Sequence, residues 1–165
     1  MSDRTGASGM AARPGQGQMP GPVPWWIPVF NPVARFLLGA GVPMASNGLL
    51  TVRGRKSGLP RTTPLAIIRA GDRRWVWSPY GDVHWVRNLR AAGTATISER
   101  RRRLAVRAIE LDQPGRIAFF RDVIGPMARS VRGGVTFIRL VDRVDLHDPV
   151  AAAEGRYVFE LLPLA

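Results

Sequence analysis

The densest chemistry in this sequence lies in Gly54-Arg55-Lys56-Ser57-Gly58-Leu59-Pro60-Arg61. Arg55, Lys56 and Arg61 put three positive charges within seven residues, and Ser57 adds a hydroxyl. Gly54 and Gly58 allow positive φ and close backbone approach. Backbone amides left unpaired in such a loop, together with cations, suit a phosphate or carboxylate. The order of a Walker A loop is missing and no βαβ context surrounds the segment, so neither nucleotide fingerprint applies. The alternative is an exposed basic hairpin turn. Lys56 is the one lysine among 24 Lys and Arg residues. A GC-rich genome explains the arginine excess but not the placement of that lysine, a compact charge with three donors.

A second cluster is Ser78-Pro79-Tyr80-Gly81-Asp82, followed by His84-Trp85-Val86-Arg87-Asn88-Leu89. A strand end with Ser, Tyr and Gly that runs into a capped helix is a common ligand edge. Asn88 borders the apolar stripe of Trp85, where a buried amide must find partners. The other reading is that Asn88 ties down a loop.

Several chemistries are excluded or left without support. Cysteine is absent, which removes disulfides, thiolate nucleophiles and Cys-based metal sites. The two histidines, His84 and His147, join no Asp or Glu at metal-ligand spacing, so no metal is expected. No nucleophile elbow and no acid/base pair of carboxylates stands out. The run Arg100 to Arg103 reads as a solvated hairpin tip, and no nucleic-acid partner is expected. The net charge of +12 still favours an anionic ligand.

The elements that must position these clusters are mostly strands. Residues 1–22, rich in Gly, Pro and Met, read as a flexible tail, and residues 23–165 as one domain. No export signal or spanning segment is visible, so a cytoplasmic location is expected. Trp25 and Trp26 open the apolar part, and a helix starts at Asn31-Pro32 with Val33, Ala34, Leu37 and Leu38 at helical spacing. That helix covers a core or lies at a lipid surface, which leaves peripheral membrane contact open.

Leu49–Arg53, Pro60–Arg69 and Arg74–Trp77 then read as a meander, with a turn at Gly71-Asp72. Asp82 is expected to cap a short helix that Gly93 stops. Thr94–Ser98 and Leu104–Leu111 form a further hairpin around the arginine run. Pro114–Ile124 reads as a helix that Gly125-Pro126 ends or kinks. Residues 130–155 are ambiguous, and Arg156–Leu162 is a closing strand. About six short strands with a few helices imply an α+β chain, mainly antiparallel β, closed as a small barrel.

Three segments carry a resemblance. Leu49-Leu50-Thr51 and the run Gly54 to Leu65 resemble the signature of the deazaflavin-dependent nitroreductase family. Trp85-Val86-Arg87-Asn88-Leu89-Arg90-Ala91 resembles its second motif, W-Y-x-N-L-x-A-N-P, with Val86 in place of Tyr and Ala92-Gly93 in place of Asn-Pro. Arg156-Tyr157-Val158-Phe159-Glu160-Leu161 resembles its closing strand, and the likeness covers residues 33–162.

The resemblance implies a split β-barrel of the FMN-binding type that holds coenzyme F-420, an 8-hydroxy-5-deazaflavin, in a groove. Arg55, Lys56, Ser57, Gly58 and Arg61 would grip its phosphate and acidic tail. Thr62, Thr63 and Pro64 would run along the cofactor. Ser78, Tyr80 and Gly81 would lie near the ring, in a stretch bulkier and shorter than the family's S-x-G-G. Trp85 and Asn88 match the second motif directly. The implied activity is hydride transfer from the reduced coenzyme to a small electron-poor acceptor: a quinone, an enone or a nitro compound. The protein's task is then orientation and exclusion of water. No catalytic residue is assigned; Ser78, Tyr80 and His84 are the proton-donor candidates. FMN, which lacks an acidic tail, fits three cations less well. A non-catalytic cofactor carrier is the alternative of a different class.

Overall fold

Alternation of apolar and polar residues governs most of the strands, and the barrel follows from it. The computed structural model describes residues 45–99, 102–130 and 132–164. The tail, Trp25 and Trp26, the helix at 31–38, and Arg100 and Arg101 lie outside the described residues. The strands are β1 (Ala45–Arg53), β2 (Pro60–Ala70), β3 (Arg73–Ser78), β4 (Thr94–Glu99), β5 (Arg102–Glu110) and β6 (Tyr157–Pro163). They close in the order β1-β2-β3-β6-β5-β4, with every described pair antiparallel.

Leu50 and Val52 of β1, Ala95 and Ile97 of β4, and Val106 of β5 point inward and are buried. Their neighbours Thr51, Thr96 and Arg107 point outward. Helix α1 (His84–Ala92) leaves β3 and returns the chain to β4, laying Val86 and Leu89 onto the interior core. β3 has a different pattern: Trp75-Val76-Trp77 is apolar on both faces. Val76 points into the barrel, while Trp75 and Trp77 join a second core outside it. Helices α2 (Gln113–Ala118), α3 (Gly125–Ser130), α4 (Gly134–Val141) and α5 (Pro149–Ala153) build that second core against β2, β3 and β6. Phe120 sits at its centre, edge-on to Trp77 at 5.2 Å between ring centroids.

Two local readings are corrected and a third is narrowed. Asp82 does not cap α1. The cap position is Val83, with no side-chain bond, while the Asp82 carboxylate accepts from Arg87 at 2.9 Å and Arg90 at 3.0 Å. Of the two outcomes expected at Gly125-Pro126, the helix is distorted rather than ended there. Residues Phe119–Ile124 form a π turn in which Gly125 N–H donates to Phe120 O, and α3 follows directly. A proline removes one helical donor and crowds the preceding turn, and the wider turn accommodates it. The arginine run is not all turn, because Arg102 and Arg103 belong to β5. The ambiguous segment 130–155 contains α4 and α5. Gly93 stops α1 as expected, left-handed at φ 65°, with its N–H on Leu89 O at 2.8 Å.

Candidate functional site

The basic loop between β1 and β2 is a built turn. Gly54 N–H donates to Leu59 O at 2.9 Å, and Gly58 N–H to Gly54 O at 2.8 Å. Leu59 N–H donates to Ser57 Oγ at 3.3 Å. A Cβ on Gly54 would stand 3.0 Å from Ser57 Oγ and 3.1 Å from Leu59 O, so a larger residue would crowd the turn. Gly58 holds φ 68°, a left-handed value that glycine takes without strain.

The loop is also fastened from outside. The Asn88 Oδ1 accepts from Arg55 N–H at 3.3 Å and from the Arg55 guanidinium at 2.9 Å. Asn88 is 8% exposed, so the pair is a tether between α1 and the loop in a place where water competes little. Of the two readings of Asn88, the one that ties down a loop describes these contacts.

These bonds change the expected anion nest. Gly54, Arg55, Gly58 and Leu59 all spend their amides on the turn or on Asn88. Among the described residues only the adjacent Lys56 and Ser57 N–H groups within 54–59 are left without a partner. The donors the loop leaves available are therefore that pair of amides, the Ser57 hydroxyl, and the exposed side chains of Lys56 and Arg61.

The remaining expected residues divide by strand geometry. Arg61–Pro64 do not present one face, because a strand alternates. Thr62 and Pro64 face outward with Thr51 and Leu49, their partners in register. Thr62 and Thr51 share a hydroxyl hydrogen bond at 2.9 Å. Arg61 and Thr63 stand opposite the inward Val52 and Leu50. β2 pairs with β3 only over Ile68–Ala70 and Arg73–Trp75, and then the strands diverge. The first half of β2 and the turn Ser78–Gly81 flank the gap that results.

In that turn Ser78 is 1% exposed and its hydroxyl donates to Gly81 O at 2.8 Å, so it fastens the backbone. Gly81 is left-handed at φ 77°. Tyr80 is half-buried; burial first, and then the carboxylate of Asp142, push its phenol up to about 12. It stays a neutral donor at any working pH. Burial likewise pushes the Asp142 carboxyl up to about 7, against the opposing pull of Arg156. Arg156 is buried and its guanidinium donates to the carbonyls of Ala151, Ala152, Glu154 and Arg143. Trp85 is half-buried against the interior core, with its ring 6.2 Å from that of Phe159. His84 and His147 are exposed. Among the described residues no group of His, Asp or Glu is placed to hold a metal. No helix among the described residues is long and apolar enough to cross a membrane.

One feature escaped the sequence reading. A cleft of about 420 Å³ runs from the loop over the outside of β1, β4 and β5, lined by Thr51, Arg53, Gly58, Thr94, Thr96 and Ala105 among others. The signal was present: Thr94, Thr96 and Ser98 are the outward residues of an alternating strand, and none is large or apolar.

A family model described as F420H(2)-dependent quinone reductase matches residues 34–132. No curated protein matches. Among solved structures, a pyridoxamine 5'-phosphate oxidase-related, FMN-binding protein from Nostoc punctiforme is similar. Its TM-score is 0.51 at 12% identity, over 87% of this chain and 83% of that one. This likeness bears on the fold. A reductase dependent on reduced coenzyme F-420 (FDR-A) gives 0.45 at 20% identity, over 70% of this chain and 93% of that one. An F-420 reductase gives 0.43 at 17% identity, over 75% and 90%.

Proposed function

The chain belongs to the F420H(2)-dependent quinone reductase family, an F-420-dependent group of oxidoreductases, and from that premise we propose which residues hold the coenzyme and what they deliver it to. The acceptor is a small, electron-poor molecule, a quinone ahead of an enone or nitro compound. The observation that carries the site is the basic loop, closed on Gly54 and tethered through Arg55 to Asn88.

The fit follows from the donors. The free N–H groups of Lys56 and Ser57, the Lys56 ammonium, the Ser57 hydroxyl and the Arg61 guanidinium form a set that answers a phosphate. The Asn88 tether fixes the loop before the ligand arrives, so less ordering opposes binding. Thr62, Thr63 and Pro64 on β2, with Tyr80 and Gly81 across the gap, border the space for a planar ring. Ser78 holds the turn that carries Tyr80, and Trp85 closes that space against water.

When bound, the reduced deazaflavin supplies the hydride. The chain supplies orientation, exclusion of water and a neutral phenol at Tyr80 able to hydrogen-bond an acceptor oxygen. FMN ranks second, since its single phosphate leaves part of the cationic set unused.

The test is titration of the full chain with oxidised coenzyme F-420, FMN and FAD, read by fluorescence, followed by oxidation of the reduced coenzyme with quinone, enone and nitro acceptors. Lys56→Ala is expected to weaken coenzyme binding about tenfold or more, since a charge-assisted contact contributes roughly 1.5–3 kcal/mol. Its unfolding midpoint should stay near that of the parent. Equal affinity in parent and variant would remove Lys56 from the site. Tight binding without oxidation by any acceptor would make the chain a carrier.

A further inference from the structure

Helix α1 meets both ends of the proposed site. Asn88 tethers the basic loop from one side of the helix. Arg90 stands two residues on, about 200° round the helix, and works on the other side. Its guanidinium engages all three nitrogens. Nε and Nη2 donate to the two carboxylate oxygens of Glu110 at 2.6 and 2.8 Å, and Nη1 donates to Asp82 Oδ1 at 3.0 Å. The same group lies over the Tyr157 ring, 4.9 Å from its centroid.

These bonds bear on the short segment that carries Tyr80. Asp82 lies two residues after Tyr80 and directly after the left-handed Gly81. Inside the turn, the Ser78 hydroxyl and the Val83 N–H both donate to Gly81 O, at 2.8 and 2.9 Å. Arg87 donates to the Asp82 carbonyl at 2.8 Å and to its carboxylate at 2.9 Å, which ties the turn to its own helix. Arg90 carries the link further, to Glu110 at the end of β5. β5 pairs with β6, and Tyr157 of β6 stands opposite Ser78 in register. The turn is thereby referenced to the barrel as well as to α1.

A surface ion pair usually contributes little stability, since two mobile side chains must be ordered in water. This one differs in geometry. A planar fork that binds one carboxylate twice, reaches a second and stacks on a ring has a fixed orientation, which a lysine could not copy. Asp82 is also withheld from the helix cap. Aspartate is among the best capping residues, yet Val83 takes that position with no side-chain bond. The carboxylate is held where it shapes the turn instead of where it would stabilise the helix.

We propose that Arg90 is a positioning residue for the reaction: it sets the turn that carries Tyr80 against the barrel, while Asn88 sets the phosphate loop. One short helix then fixes the distance between the phosphate end and the ring end of the site. This role rests on the reading of Tyr80 as a donor to the acceptor oxygen.

The experiment uses the full chain, reduced coenzyme F-420 and a soluble benzoquinone, with coenzyme affinity measured separately by fluorescence. Arg90→Ala should lower kcat about tenfold, as a misplaced group does, and leave coenzyme affinity within about twofold of the parent. In a Tyr80→Phe background the same substitution should lower kcat by no more than about twofold, because the group it positions is already gone. Glu110→Gln loosens the far end of the bridge and should show the same pattern with a smaller loss. It decides the matter if Arg90→Ala does not fold. Arg73→Ala is the control. It removes a pair of the same kind, bound twice to Glu160 at 2.6 and 3.0 Å, from the far end of β3, and should leave kcat within about twofold.

Unchanged kcat in Arg90→Ala, with Tyr80→Phe slow, would overturn the role of Arg90 and leave the reading of Tyr80 standing. A full loss that persists in the Tyr80→Phe background would also overturn it, as would coenzyme affinity that falls in step with kcat or an equal loss in Arg73→Ala. Parental turnover in Tyr80→Phe would overturn the reading of the turn, and the role of Arg90 with it.

Discussion

The two outer walls of this barrel differ in what their outward residues do. On β2, β3 and β6 the outward set includes Ile68, Trp75, Trp77 and Val158, and four helices bury it. On β1, β4 and β5 the outward set is Thr51, Thr94, Thr96, Ser98, Ala105 and arginines, and nothing described covers it. Both walls hang on one interior core whose inward residues are similar: Val52, Val76, Ile97 and Val106. The strand backbone thus supplies a rigid frame, while the outward alternation decides which wall becomes core and which stays bare among the described residues.

The strongest way to break the comparison is to open the covered wall. Phe120 is 1% exposed and meets Trp77 and Phe119 edge-on. Phe120→Ala is expected to cost roughly 3–5 kcal/mol, from lost burial and the cavity left behind. Chemical denaturation measures it, and a loss below about 1 kcal/mol would mean that the helices are only loosely held.

The covered wall should also hold a pH-dependent part of stability. Asp142 stands at the end of α4, with Tyr80, Arg143 and Arg156 as the charged or titratable groups that act on it or beside it. Its folded pKa is about 7, raised above the ordinary value of 3.8. The native state therefore keeps a proton that the unfolded chain has released. The stabilisation is complete below the unfolded value and is lost as pH rises through about 7. Asp142→Asn cannot ionise, so relative to this variant the parent should lose midpoint temperature from about pH 4 to pH 7. Parallel profiles for the two proteins would count against a buried Asp142 carboxyl.

The smallest effect belongs to the bare wall. Thr96→Val keeps shape and β-propensity and removes one hydroxyl from this face. Stability should change by no more than about 0.5 kcal/mol, as for ordinary surface sites. A stability change as large as that of Phe120→Ala would show that this wall is packed after all.

Much of this was legible in one dimension. Alternation in Thr94–Ser98 and Arg156–Leu162 marked strands, because a period of two leaves one face for the core. Gly93 stopped α1, since a left-handed residue ends a helix with least strain in glycine. The Gly54–Arg61 loop showed its cations and glycines in its own composition, and the motif pair pointed to the coenzyme. Local signals failed where a distant partner decided the outcome. Asp82 looked like a cap, yet Arg87 and Arg90 compete for its carboxylate. Pro126 left open an end or a kink, and a π turn packed on Trp77 decides it by carrying the chain through.

What the amino-acid order settled alone was the inventory: strand periodicity, the glycine-bounded cations, and the absence of cysteine. What only the tertiary structure decided was pairing at a distance. Arg55 meets Asn88 across 33 positions of sequence, and that contact turns loop amides from free donors into parts of a fixed turn. Arg103 and Arg107 come to stand beside Ser98 and Thr94 on one outer wall because antiparallel register lines up β4 and β5. Composition fixes which side chains exist, but register between strands is set by burial of the shared core, and so residues distant in sequence come to share one wall only after the barrel closes.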